Sequence, residues 1–227
     1  MDIALPDLAA AAEGLKPLLD WRGVPVDLAS LAALAAGLGW ASGLRLYALV
    51  FVLGALARFA GVQLPGGLGV LAHPLVLGLS GLLLVVEFFA DKLPWLDSAW
   101  DAVHTFIRIP AGAALAAAVM GDQGGALQVA MGLVGGTLAA GTHLAKAGAR
   151  AAINTSPEPF SNIATSLGED VLVGSGLAVA IFHPLLFLVL LVVVTISIPV
   201  FLVTALGFLV CYGLALFLLI HMNLGKK

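Results

Sequence analysis

Residues 185–220 contain no Asp, Glu, Lys, Arg or His. A single straight membrane crossing needs only about 20 such residues. Water cannot solvate an apolar run of that length, and a soluble domain has no core large enough to bury it. The rest of the chain agrees. Of 227 residues, 61% are hydrophobic and 10% charged, against about 45–50% and about 25% in soluble domains. Mean hydropathy is +1.11. These values exclude a water-soluble enzyme or binding domain and point to a polytopic membrane protein. The net charge of -3 argues against nucleic-acid binding. One cysteine, Cys211, excludes a disulfide framework and a cysteine-based zinc site.

The apolar pattern predicts an all-α transmembrane bundle of about six spans with short interfacial amphipathic helices. Residues 1–27 have no basic leader, so they read as an amphipathic interfacial helix rather than a signal peptide. Spans are expected at 28–57, 74–90, 107–120, 126–150, 171–182 and 185–220, within one domain of residues 28–227. Asp27 is placed to cap the first span, and Pro74 suits the first turn of the second. Residues 98–108 are expected to form a short interfacial helix capped by Asp97. Ser161 is placed to cap another. The run 185–220 reads as one helix kinked near Pro199, with a two-span hairpin as the competitor. His73-Pro74 and His183-Pro184 each head an apolar stretch. That echo marks either a repeat or two independent helix starts.

Basic residues set the expected orientation. With both termini cytoplasmic, Lys16, Arg22, Lys92, Arg108, Lys146, Arg150, Lys226 and Lys227 fall inside, Arg58 outside, and Arg45 within a span. This matches the positive-inside pattern of a multi-pass membrane protein.

The charges inside apolar sequence carry the functional signal. Arg45 lies 13 positions before Arg58, and Glu87 lies 13 positions after Pro74. Both therefore sit about 20 Å below the outer surface, which predicts an Arg45–Glu87 pair. Such a pair is either an ion-binding or gating element or a structural staple. Gly37, Gly39, Ser42 and Gly43 beside Arg45 permit close helix packing or local unwinding. Asp97, Asp101 and His104 share one helix face. That face suits a divalent metal, although a solvated or salt-bridged face is the plainer expectation. His143, Lys146 and Arg150 form a basic stripe. It suits an anion or lipid head group, and ordinary positive-inside flanking is the plainer expectation. The stretch 154–162, NTSPEPFSN, reads as the lining of an inner vestibule or as a turn-rich loop. His73, His183 and His221 fall at span ends, where interfacial residues are expected. No phosphate loop, dinucleotide fingerprint, metalloprotease motif or nucleophile elbow is present.

The strings WASGLRLYALVFVLGALARF, HPLVLGLSGLLLVVEFFADKLPWLDSAWDAVHTFIR, HLAKAGARAAINTSPEPFSN and EDVLV resemble the bacterial membrane-protein family named domain of unknown function 4126. The likeness runs from about residue 31 to about residue 196. It implies an integral membrane protein with these polar strings as its hallmark, and it brings no activity, substrate or cofactor.

The expected function is that of a small membrane transporter or channel, not an enzyme, with no cofactor and no bound metal. The expected site is Arg45, Glu87, Asp91, Asp101, His104, Lys146, Arg150 and Asn154, in the cytoplasmic half of the bilayer. Its solute is an ion or a small anionic or zwitterionic molecule. Membrane lipids and a second copy of the chain are the other expected partners. The rival reading is a non-catalytic scaffold or lipid-binding subunit.

Overall fold

The structure is a computed structural model that describes residues 27–155 and 160–224. The expected helix over residues 1–27 lies outside the described residues, except for Asp27. Among the described residues all regular structure is helical, in six long helices and one 3-10 segment. They are α1 (Leu28–Phe59), the 3-10 segment (Gly66–Ala72), α2 (Pro74–Ala90), α3 (Pro94–Val119), α4 (Gly125–Ile153), α5 (Phe160–Phe182) and α6 (Pro184–Leu224). Four of these, α1, α3, α4 and α5, are long and apolar enough to cross a membrane. A fifth crossing arises if the 3-10 segment and α2, bent by 73° at His73, count as one broken span. The six-span expectation is thus met approximately.

Local chemistry explains the helix ends. The Asp27 side chain accepts from the Ser30 amide at 2.8 Å, satisfying one of the free N–H groups of α1. The His73 ring accepts from the Leu75 amide at 3.2 Å and caps α2. Pro74 and Pro184 both occupy first-turn positions, where a missing N–H costs nothing.

Two expected boundaries are corrected. Residues 98–108 and 107–120 are not an interfacial helix followed by a span. They form one helix, α3, which begins at Pro94 and runs through Pro110. Asp97 is not its cap but lies in its first turn. The charged face of this segment turns into protein rather than water, so the interface has no hold on it. Likewise, α5 begins at Phe160, not at 171. Glu169 and Asp170 sit inside the helix because cations neutralise them there.

The chain divides into two compact units, the first ending at Leu185 and the second starting at Leu186. Within the first unit, α1 is the central element. It packs on α2, α3, α4, α5 and the 3-10 segment, and nearly all its residues from Leu31 to Tyr47 are buried. Small residues allow this. A Cβ added at Gly39 would lie 2.5 Å from the Gly135 Cα atom, so α1 and α4 meet backbone to backbone. Leu68 and Leu71 of the 3-10 segment join the apolar core with Leu115, Val119 and Met120. The second unit is the rest of α6. It is a continuous helix through Pro199 to Leu224, which meets the single-helix expectation and excludes the hairpin.

A buried charge cluster at one end of the bundle

Alternating chain direction brings the C-terminal ends of α2 and α4 and the N-terminal parts of α3 and α5 to one end of the first unit. Each carries polar side chains at helical spacing. α2 and its cap contribute Glu87 and Asp91, and α3 contributes Asp97, Asp101, His104 and Arg108. α4 supplies His143, Lys146 and Arg150, and α5 supplies Asn162, Ser166 and Glu169. All of these are buried, with Arg45 of α1 among them.

Arg45 stands at a break in α1. Its backbone angles, φ -142° and ψ 64°, are not helical. Backbone at membrane depth leaves the helix only where protein or a cavity serves its polar groups, and here side chains do so. Arg108 Nη1 donates to the Gly43 carbonyl at 3.4 Å, and Lys146 Nζ donates to the Leu44 carbonyl at 3.4 Å. Two cations thus meet the carbonyl end of the first half-helix, where the helix dipole is negative.

The expected Arg45–Glu87 pair does not form. Arg45 binds Asp91 through Nη1, with Asp170 at 2.9 Å from Nε and Glu169 at 3.4 Å from Nη2. Glu87 binds Arg108. The two residues share one cluster, but Arg45 reaches one helical turn past Glu87. Equal depth would pair the two only on an unbroken α1 with Arg108 at the interface, whereas α1 breaks at Arg45 and Arg108 lies in the interior. Arg108 is fully buried and also holds Asp101 at 3.1 Å.

Lys146 lies among three carboxylates, Glu169 at 3.5 Å, Asp91 at 3.7 Å and Asp101 at 3.8 Å. Arg150 grips Glu169 with two parallel bonds, Nε–Oε1 at 3.1 Å and Nη2–Oε2 at 3.0 Å. This fork geometry is the strongest arrangement available to the pair. The stripe His143–Lys146–Arg150 is therefore an interior element and not positive-inside flanking. At Asp91, just beyond α2, burial pushes the carboxyl up. The charges of Lys146, Arg45 and Arg150 outweigh it and hold the group below the usual aspartate range.

The two histidines are fixed by their neighbours. His143 Nδ1 lies 3.3 Å from Arg108 Nη1, which can only donate, so the ring proton is on Nε2, 2.8 Å from Thr105 Oγ1. His104 Nδ1 donates to the Trp100 carbonyl at 2.6 Å. Its ring stacks on Trp100, with centroids 3.9 Å apart, and meets Tyr47 edge-on. His104 thus belongs to an aromatic group beside the charges. The face Asp97–Asp101–His104 does not assemble as a metal site, since each member is turned to a different partner. Among the described residues no three His, Cys, Asp or Glu groups converge on a common point.

Asn154, just after α4, ties the first turns of α3 to the start of α5. Its Nδ2 donates to Asp97 Oδ2 and to Ser98 Oγ, both at 3.1 Å, and its Oδ1 accepts from Asn162 Nδ2 at 2.9 Å. Every expected site residue except His104 thus joins the ionic and hydrogen-bonded network. The structure adds Asp97, Arg108, His143, Asn162, Ser166, Glu169 and Asp170. The spacing of Asn162, Ser166 and Glu169 repeats that of Asp97, Asp101 and His104. Placing the start of α5 at 171 hid this stripe.

The chain belongs to the family described as domain of unknown function (DUF4126), whose family model matches residues 32–218. The match extends past residue 196 into the second half of α6. No curated protein and no solved structure matches the chain.

Proposed function

We propose that this protein is a small membrane transporter or channel whose site is the buried charge cluster around Arg45. The carrying observation is the break in α1 inside that cluster. Four cations, Arg45, Arg108, Lys146 and Arg150, and five carboxylates, Glu87, Asp91, Asp97, Asp101 and Glu169, are buried there. A bundle that needed only to hold together would avoid this. Burying each ion costs several kcal/mol, and apolar replacements are often as stable. Interrupted helices surrounded by opposite charges are how membrane proteins offer carbonyls and side chains to an ion without exposing backbone to lipid. The solute is an ion or a small anionic or zwitterionic molecule. In this reading the chain is not an enzyme. It sits in a bacterial inner membrane with the charged end toward the cytoplasm, and copies of it associate.

The test is flux. Purified protein in liposomes is exposed to inward gradients of protons, alkali cations, chloride, phosphate and zwitterionic amino acids. Transport of at least one solute, lost in Arg45→Ala while the protein remains folded, is expected. The absence of flux for all of them would favour the scaffold reading. That reading draws support from the same cluster, because each of the four cations has a carboxylate within 4 Å. Orientation is tested separately. In a Cys211→Ser background, Ser98→Cys in intact cells should resist membrane-impermeant thiol reagents. Ready labelling from outside would invert the topology.

A further inference from the structure

We infer that Asp97 is a proton-binding site at the mouth of the cluster, wired to Arg150 through two asparagine side chains. The inference deepens the transport reading by naming the proton as an ion that the site takes up.

Asp97 differs from the other four buried carboxylates. Glu87, Asp91, Asp101 and Glu169 each have a cation within 4 Å. Asp97 is fully buried, and no Lys, Arg or His among the described residues pairs with it. Its Oδ2 accepts from the neutral Asn154 amide, and its Oδ1 has no hydrogen-bond partner among the described residues. An isolated buried carboxylate is the most costly state available to such a group. A proton removes the charge and needs only one oxygen, whereas a metal ion would need a converging ligand set.

The relay has a direction that chemistry fixes. Arg150 can only donate, so Asn162 Oδ1, at 3.2 Å, must accept. Asn162 Nδ2 then donates to Asn154 Oδ1, and Asn154 Nδ2 to Asp97. Every N–H along the line points from the guanidinium to Asp97. The line polarises toward the charged form of Asp97, so gain or loss of a proton there is felt at Arg150. Arg150 in turn holds Glu169 and lies 3.8 Å from Asp91, the carboxylate that binds Arg45. The groups that act on Asp97 are Asp101 on its own helix, Asp91 from the end of α2, Arg150 from α4 and Asn154 after it. Arg150 and Asn154 favour the charged form, and Asp91, Asp101 and burial oppose it. Exchange with water is short-range, because Ser98, the next residue, is exposed and shares Asn154 as a donor. The proton arrives from the aqueous phase on to Asp97 Oδ1 and leaves the same way, with no other bond made or broken.

Infrared spectroscopy of the intact protein in lipid tests this without relying on transport. Protein labelled with carboxyl-13C aspartate should show a protonated carboxylic-acid band at mildly acid pH, above the range where ordinary aspartates protonate, that shifts on labelling and disappears in alkali. The band should vanish in Asp97→Asn. If that variant does not fold, Asn154→Ala provides the second test. Loss of one hydrogen bond to the charged form should move the loss of the band about one pH unit toward alkali. A band absent at mildly acid pH overturns the inference. So does a band insensitive to aspartate labelling and lost in Glu87→Gln, or one unmoved in Asn154→Ala. Failure of every flux assay with the aspartate band present would reject transport and leave the proton site standing.

Discussion

At Gly39, Gly112 and Gly135 the helices α1, α3 and α4 touch almost backbone to backbone. Further along, at Arg45, Arg108 and Lys146, the same three helices are joined by buried charge. The first contact admits no side chain. A Cβ on Gly112 would lie 2.4 Å from Ser42 Oγ and 2.6 Å from the Ala139 Cβ. Interhelical attraction there is dispersion between close surfaces, since lipid removes the hydrophobic drive that packs helices in water. The second contact consists of hydrogen bonds from Arg108 and Lys146 to the Gly43 and Leu44 carbonyls of α1 and of ion pairs such as Lys146–Asp101, each charge desolvated at a cost that only its partners offset. The difference separates two roles. A glycine contact has one good arrangement and no protonation state. A cluster in which Lys146 stands 3.5–3.8 Å from three carboxylates offers that cation more than one partner, and in the transport reading it is the part of the bundle that would change state.

The largest expected effect comes from removing a cation. Arg108→Leu leaves Glu87 and Asp101 buried without their closest partner. It should cost about 3–5 kcal/mol in unfolding experiments in detergent. A cost below about 1 kcal/mol would mean that the charged end is wet and contributes little. At the other contact, Gly39→Ala should cost about 1–3 kcal/mol by overpacking, by an amount independent of pH and salt. Any strong pH dependence of that cost would blur the distinction between the two contacts.

A double-mutant cycle sharpens the assignment within the charged end. Arg45→Ala and Asp91→Ala should couple by at least about 0.5 kcal/mol, and by more than Arg45→Ala and Glu87→Ala. The reverse order would restore the pairing that depth alone suggests. The smallest effect concerns acid. Because its neighbours hold folded Asp91 below its unfolded value of about 3.9, Asp91 contributes stability that is full above that value. The contribution is lost as pH falls through the lower folded value. Acid unfolding curves of the parent and Asp91→Asn should therefore converge at low pH. Curves that stay parallel throughout would mean that Asp91 is not held ionised.

The amino-acid sequence by itself determined the solvent, the helical class and the region of the site. Apolar runs such as 185–220 have no alternative to lipid, and backbone in lipid has no alternative to a helix or a closed barrel. The strings carrying Glu87, Asp91, Asp101, Lys146, Arg150 and Asn154 stood out because charge is scarce in this chain. The sequence did not determine which charge meets which. Charged residues look like helix ends when only local hydropathy is counted, so α3 and α5 were split where their polar faces in fact turn inward. Arg108 and Glu169 were thereby left at a surface they do not occupy. Pairing depends on the azimuth of five helices and on the unwinding of α1 at Arg45, and these are set by close contacts such as Gly39 against Gly135 between residues 96 positions apart. Tertiary structure alone decided that Arg45 goes to Asp91, that Arg108 goes to Glu87, and that Asp97 is left with an amide. The energy of a buried charge depends on what packs beside it, and local sequence does not encode that.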